Sequence, residues 1–148
     1  MLHHISISVD NPLRVAKVLA QILHGHVVPF AICPGSYIVL QGDEYGTAIE
    51  LLPFGIEMTL KHQKVVYMHN NNHSQFSAIY ATISVPISQC EIEQIAMRED
   101  WHVNLSDRGQ FKLIELWIEN KFLLELMSPT MTHQYIESMN VTKLGSLK

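Results

Sequence analysis

Four residues of this chain have side chains and spacings suited to joint chemistry: His4, Glu50, Tyr80 and Glu125. His4 opens the stretch His4-Ile-Ser-Ile-Ser-Val9, and 76 positions later Tyr80 opens Tyr80-Ala-Thr-Ile-Ser-Val85. Glu50 lies in Ala48-Ile-Glu-Leu-Leu-Pro53, and 75 positions later Glu125 lies in Leu123-Leu-Glu-Leu-Met-Ser-Pro129. An imidazole and two carboxylates can ligate a cation or move a proton, and a phenol can donate a hydrogen bond. A period this long marks two copies of one supersecondary unit, because solenoid repeats are shorter. Two such units can set four side chains around one point.

The elements that must carry these residues follow from hydrophobic period and turn chemistry. From Leu2 to Val9 apolar and polar residues alternate, as in a strand with one buried face. Asn11-Pro12 reads as an N-cap followed by proline in the first helical turn. Leu13, Ala16, Val18, Leu19, Ile22 and Leu23 then form a helical stripe, with Gly25 as the stop. Val27 to Phe30, Tyr37 to Gln41 and Thr47 to Leu52 read as strands, the last two joined by the loop Gly42-Asp-Glu-Tyr-Gly46. The same order returns from Ala78: a strand to Val85, and a capping box at Ser88-Gln-Cys-Glu91 with Ile87 and Ile92 as its staple. A helix to about Arg98 follows, with strands at Phe111 to Ile118 and Phe122 to Met127. His102-Val103 also falls 76 positions after His26-Val27. The polar stretch from Gly55 to Gln75 is expected as a mobile linker or lid. Met131, Tyr135, Ile136 and Met139 suggest a short amphipathic helix, and Val141 to Lys148 a frayed tail.

Alternation also assigns faces. With Ile5, Ile7 and Val9 under the helix, His4, Ser6 and Ser8 face the other way, together with Ala48, Glu50 and Leu52. In the second copy Tyr80, Thr82 and Ser84, and Leu123, Glu125 and Met127, take the corresponding face. Glu115 and Trp117 join them, and Tyr37 and Val39 are expected to do so in the first copy. No lysine or arginine inside these strands shares those faces; Lys121 has the parity of Glu125 but lies at a turn. Clustered carboxylates without a base bind a cation or hold a proton, which favours a working site over an inert core. Plainer readings stand beside this one. His4 also fits a hydrogen-bonded sheet histidine, Tyr80 a packing residue, and Glu115 and Trp117 simple exposed sheet positions. His69 and His73 lie in the linker, within reach as substitutes for a second histidine.

Composition excludes several classes. Hydrophobic residues make up 47% and charged residues 16%, enough to bury a core and too apolar for disorder. A net charge of -4 leaves no basic stripe, so nucleic acid is not the expected partner. No apolar run reaches the ~18 residues of a membrane helix, and no signal sequence is read at the N-terminus. Cys33 and Cys90 lie far apart and match no zinc or redox spacing, as expected of reduced thiols in a cytoplasmic protein.

The doubled strand-helix-three-strand pattern, with His4 opening the first copy and Glu50 and Glu125 in the closing strands, resembles the vicinal oxygen chelate superfamily. That superfamily includes glyoxalase I, bleomycin-resistance proteins and extradiol dioxygenases. The resemblance implies an α+β fold of two tandem βαβββ modules, forming a cup-shaped, mostly antiparallel eight-strand sheet. Its expected divisions are a first module at 1–54, a linker or lid at 55–75, a second module at 76–129 and a C-terminal helix and tail at 130–148. It implies a divalent metal ion (Ni, Zn, Mn, Co or Fe) held by His4, Glu50 and Glu125, with Tyr80 standing where a second histidine would be. The activity implied is that of an isomerase or lyase acting on a small oxygenated substrate through an enolate, with Glu125 or Glu115 moving the proton. Tyr37, Tyr80 and Trp117 would line the substrate. The alternative is a metal-independent binding protein of the bleomycin-resistance type. A homodimer is expected, since two modules can pair within one chain or between two.

Overall fold

The computed structural model describes residues 3–62 and 64–139. These residues divide between two compact units, Met1–Ser77 and Ala78–Lys148. In the first, β1 (His4–Val9) leads into α1 (Pro12–Leu23), followed by β2 (His26–Pro29), β3 (Tyr37–Leu40) and β4 (Ala48–Pro53). A hairpin of β5 (Ile56–Lys61) and β6 (Lys64–His69) completes it. The second unit runs β7 (Ala81–Ser84), α2 (Gln89–Glu99), β8 (His102–Asp107), β9 (Lys112–Ile118), β10 (Phe122–Met127) and α3 (Pro129–Ser138). Both units are therefore βαβββ modules of an α+β protein, as the repeat implies. The expected tail from Val141 to Lys148 lies outside the described residues.

Each module forms its own four-stranded sheet, in the orders β1-β4-β3-β2 and β7-β10-β9-β8. The opening and closing strands pair in parallel at one side, and the other pairings are antiparallel. One face of the first sheet is apolar because Ile7, Val9, Val39, Ile49 and Leu51 all point to it and are buried. Against it α1 lays Val15, Ala16, Val18, Leu19, Ile22 and Leu23. In the second module Ile114, Leu116, Leu124 and Leu126 form the equivalent apolar face, and α2 buries Ile92, Ile95 and Ala96. Burying each such side chain is worth about 1.5–3 kcal/mol, which is why the opposite faces are free to carry polar groups.

The helix ends form as their sequences require. The Asn11 side chain accepts from Arg14 N, and Ser88 and Glu91 close a complete capping box. At the other end the left-handed residue is His24, not Gly25. Gly25 serves a different need: a Cβ there would lie 2.4 Å from the Leu40 carbonyl oxygen. In the second module Asp100 takes the left-handed position and Trp101 follows it.

The segment from Gly55 to Gln75, expected as a linker or lid, folds in large part as the β5–β6 hairpin of the first unit. Its pairing puts Ile56, Met58 and Leu60 with Val65, Tyr67 and His69 on one face. At its base Gly55 is held at φ 89°, and a Cβ there would meet the His69 and His73 rings at 3.0 and 3.1 Å. Glycine satisfies both constraints.

Candidate functional site

Register places one row of side chains across each sheet on the face away from the helix. In the second unit the row is Asn104, Glu115, Glu125 and Thr82, on β8, β9, β10 and β7 respectively. In the first unit it is Val28, Ile38, Glu50 and Ser6, on β2, β3, β4 and β1. Each closing-strand glutamate thus sits beside a hydroxyl from the opening strand. The Thr82 hydroxyl donates to Glu125 Oε2 at 2.6 Å, and the Ser6 hydroxyl donates to Glu50 Oε2.

The closing strand of the first unit ends at Pro53 and that of the second just before Pro129, and the segment that follows each comes back to hydrogen-bond a serine on this face. In the first unit Ser8 Oγ donates to the Ile56 carbonyl, and the Tyr67 ring meets Phe30 edge-on at 6.3 Å between centroids. Tyr67 comes near enough to Glu50 that the carboxylate's charge helps push its phenol up, after the larger effect of burial. In the second unit Thr132 of α3 donates to Ser84 Oγ at 2.9 Å, and Tyr135 meets the Phe111 ring at 5.1 Å. Ser8 and Ser84 are repeat partners, 76 positions apart, so the same anchor holds a hairpin in one unit and a helix in the other.

Glu115 and Glu125 stand directly opposite each other on neighbouring strands, an arrangement that like charges oppose. The base that relieves it is Arg108, in the turn between β8 and β9. Its Nη2 lies 3.0 Å from Glu115 Oε1 and 3.0 Å from Glu125 Oε1. The Glu125 side chain is 8% exposed, that of Glu115 23% and that of Arg108 45%, so the guanidinium forms the open edge of the cluster. This corrects the expectation that these acids have no counter-charge. Arg108 escapes strand parity because it sits outside the strands and reaches in. The adjoining Asp107 and Gly109, joined by Gly109 N donating to Asp107 Oδ1 at 2.8 Å, are the only sequence signal of that tight turn.

Trp117 shares the face of Glu115 and Glu125, paired with Leu123 and His102. Tyr80 precedes β7 and is exposed. His4 is exposed and pairs with Ala48, on the same face as Glu50 and one row further out. Tyr37 does not join them. It pairs with Leu51, and Val39 pairs with Ile49, so both lie on the helix face and Ile38 takes the place beside Glu50. The run Tyr37-Ile-Val-Leu40 is apolar throughout, and a strand without alternation leaves its register undetermined by sequence.

The implied metal ligands divide between the units, His4 and Glu50 in the first and Glu125 in the second. Both oxygens of Glu125 accept hydrogen bonds, one of them from a guanidinium, so a dication there would displace Arg108 or face its charge. Among the described residues no three His, Cys, Asp or Glu side chains are grouped to hold a metal ion.

No family model and no curated protein sequence matches the chain. Solved structures do. A fosfomycin resistance protein FosX from Listeria monocytogenes, complexed with Mn(II) and sulfate, is 11% identical, with a TM-score of 0.58 over 93% of this chain and 96% of that one. A trypanothione-dependent glyoxalase I of Leishmania major is 16% identical, with a TM-score of 0.54 over 99% of this chain and 98% of that one. A glyoxalase/bleomycin resistance protein/dioxygenase domain from Frankia is 12% identical, at 0.55 over 86% and 96%. At these identities the likeness is one of fold.

Proposed function

We propose that this chain, which has the fold of the vicinal oxygen chelate superfamily, is a glyoxalase-like enzyme of the isomerase or lyase type. It would act on a small oxygenated substrate, with Arg108 in place of a metal ion as the positive charge of the second unit. The observation that carries this is the shared guanidinium: Arg108 holds Glu115 and Glu125 together at 3.0 Å each and is itself 45% exposed.

The roles divide by geometry. Glu125, buried and bonded at both oxygens, orients Arg108. Glu115 is the more exposed carboxylate and accepts a described hydrogen bond at one oxygen, which leaves the other to take a proton. A substrate carbonyl against Arg108 would lose an α-proton to Glu115, and the electron pair of the broken C–H bond would pass to the oxygen as an enolate. The guanidinium stabilises that charge as it develops. Where the α-carbon carries a hydroxyl, its proton passes to the enolate oxygen and its C–O becomes the new carbonyl. Glu115 then returns its proton to the former carbonyl carbon to give an isomer. Where a β-substituent is present, the enolate electron pair expels it and gives elimination. Trp117, on the same face, supplies an apolar wall. The likeness to a Mn(II)-bound structure and to a glyoxalase I supports handling of a small substrate. The ion pair of Arg108 with Glu125 supports a reading in which the guanidinium supplies the positive charge.

The test is α-proton exchange in deuterium oxide, followed by proton NMR over a panel of small α-hydroxy and α-keto compounds. Exchange should survive a chelator, and Glu115→Gln should slow it about 100-fold or more. Arg108→Leu should do the same. Exchange that requires added Ni, Mn, Zn or Co would overturn the metal-free reading. A panel with no exchange at all would overturn the enzyme.

A further inference from the structure

Glu50 is in the opposite situation to Glu125. It is half-buried and receives the Ser6 hydroxyl, and it forms no ion pair among the described residues. Its row neighbours toward the sheet edge, Ile38 and Val28, are apolar and half-buried. Above that face the β5–β6 hairpin brings Tyr67, whose ring meets Phe30 at a right-angled 6.3 Å. A half-buried carboxylate beside aliphatic row neighbours, with Tyr67 nearby, can take a cation, and the surroundings decide which kind. Calcium and magnesium take six or more oxygen ligands, waters included, and the apolar neighbours Ile38 and Val28 offer no side-chain oxygen beside Glu50. Transition ions require three or more clustered nitrogen, sulfur or carboxylate donors, and no such group occurs among the described residues. An organic ammonium ion requires one carboxylate and the faces of aromatic rings. A further polar feature lies in the same wall: Ser36, whose carbonyl accepts from Phe30 N, has a buried hydroxyl with no hydrogen-bond partner.

We infer that the Ser6–Glu50 face of the first unit, covered by the β5–β6 hairpin, binds the ammonium group of a small organic ligand. Glu50 supplies the charge, and Tyr67 and Phe30 supply the aromatic wall. Ser6, Phe30, Glu50 and Tyr67 all belong to the first unit, so the inference is tested apart from the proton chemistry proposed for the second.

The experiment is a titration of the isotope-labelled full chain with tetramethylammonium chloride by amide NMR, at constant chloride, with tert-butanol as the uncharged probe of similar shape. Saturable shifts are expected around residues 6, 30, 50 and 67, and tert-butanol should produce weaker ones. Glu50→Gln should weaken ammonium binding about tenfold or more. Tyr67→Phe should retain binding and Tyr67→Leu should lose most of it, because the ring face and not the hydroxyl meets the cation. Unchanged amide positions elsewhere in the first unit confirm that each variant is folded. Three results would each overturn the inference: equal binding of tert-butanol, insensitivity to Glu50→Gln, or no saturable shift. Paramagnetic broadening around Ser6 and Glu50 by micromolar Mn(II), with no response to ammonium, would assign the site to a metal instead.

Discussion

The two units lay the same row across the same sheet and balance its charge in opposite ways. In the first, Val28, Ile38, Glu50 and Ser6 form a row with one acid and no base. In the second, the first two positions are Asn104 and Glu115, so a second carboxylate stands beside Glu125. That one exchange, Ile38 for Glu115, makes the row unstable without a cation, and Arg108 provides it from the neighbouring turn. A conserved backbone register therefore does not conserve the electrostatics of the site. The covers differ as well: a hairpin with exposed Met58, Leu60 and Val65 in one unit, and a helix anchored by Thr132 and Tyr135 in the other.

Removing Arg108 is the strongest way to break this contrast. Arg108→Leu leaves two facing carboxylates, one of them buried, without a counter-charge. Fully buried pairs lose about 3–5 kcal/mol when one partner is deleted. Because the Arg108 side chain is 45% exposed, a loss of about 2 kcal/mol is expected here. Glu50→Gln, which breaks no ion pair, should stay within about 0.5 kcal/mol. Urea unfolding gives both values, and hydrogen exchange should place the Arg108→Leu effect between residues 78 and 139. Equal losses for the two variants would mean that the second row gains nothing from its guanidinium. Adding Glu115→Gln to Arg108→Leu should recover part of the loss, since it removes the like-charge partner.

A second contrast follows the helix ends. Gly25 and Trp101 occupy equivalent places, 76 positions apart, each just after a left-handed residue. The first unit brings the Leu40 carbonyl oxygen to 2.4 Å from where a Gly25 Cβ would stand, whereas the second buries a whole indole. Gly25→Ala should therefore cost about 1–2 kcal/mol in the same unfolding measurement, because backbone must yield where no flexible side chain can. A neutral or stabilising Gly25→Ala would show that β3 and the helix end separate easily. The difference between the units would then be one of side-chain size alone.

Much of this architecture was open to sequence reasoning because it was written twice. The repeat fixed the element order, and the caps at Asn11 and Ser88 followed from side-chain chemistry that acts within four residues. Glu115 and Glu125 were placed on one face by alternation, since Ile114, Leu116, Leu124 and Leu126 mark the other. What failed was non-local or lacked contrast. Tyr37 lies in an all-apolar strand whose two faces read alike, so its register came from Leu51 and Ile49 across the sheet. Arg108 acts at the length of its side chain from a turn, where strand periodicity is silent. The hairpin was hidden by its histidines and lysines, although Ile56, Met58 and Leu60 alternate as a strand should. Tyr67 became a site residue only when that hairpin crossed back over Glu50.

The smallest effect tests the negative charge of the first unit directly. The Tyr67 phenol lies above the ordinary tyrosine value of about 10, chiefly through burial and next through the charge of Glu50. As pH rises past that ordinary value, the unfolded chain releases this proton while the folded chain keeps it. The folded state then binds more protons, so stability falls with pH until the folded phenol ionises too. Ultraviolet titration, with Tyr67→Phe to identify the transition, reports the folded midpoint. Glu50→Gln should lower that midpoint only partway toward the ordinary value, because burial remains after the charge has gone. A guanidinium placed beside Glu50, as Arg108 is beside Glu125, would be expected to produce a similar shift. If Glu50→Gln leaves the midpoint unmoved, Glu50 carries no uncompensated charge under the hairpin, and the contrast between the two rows reduces to the second unit alone.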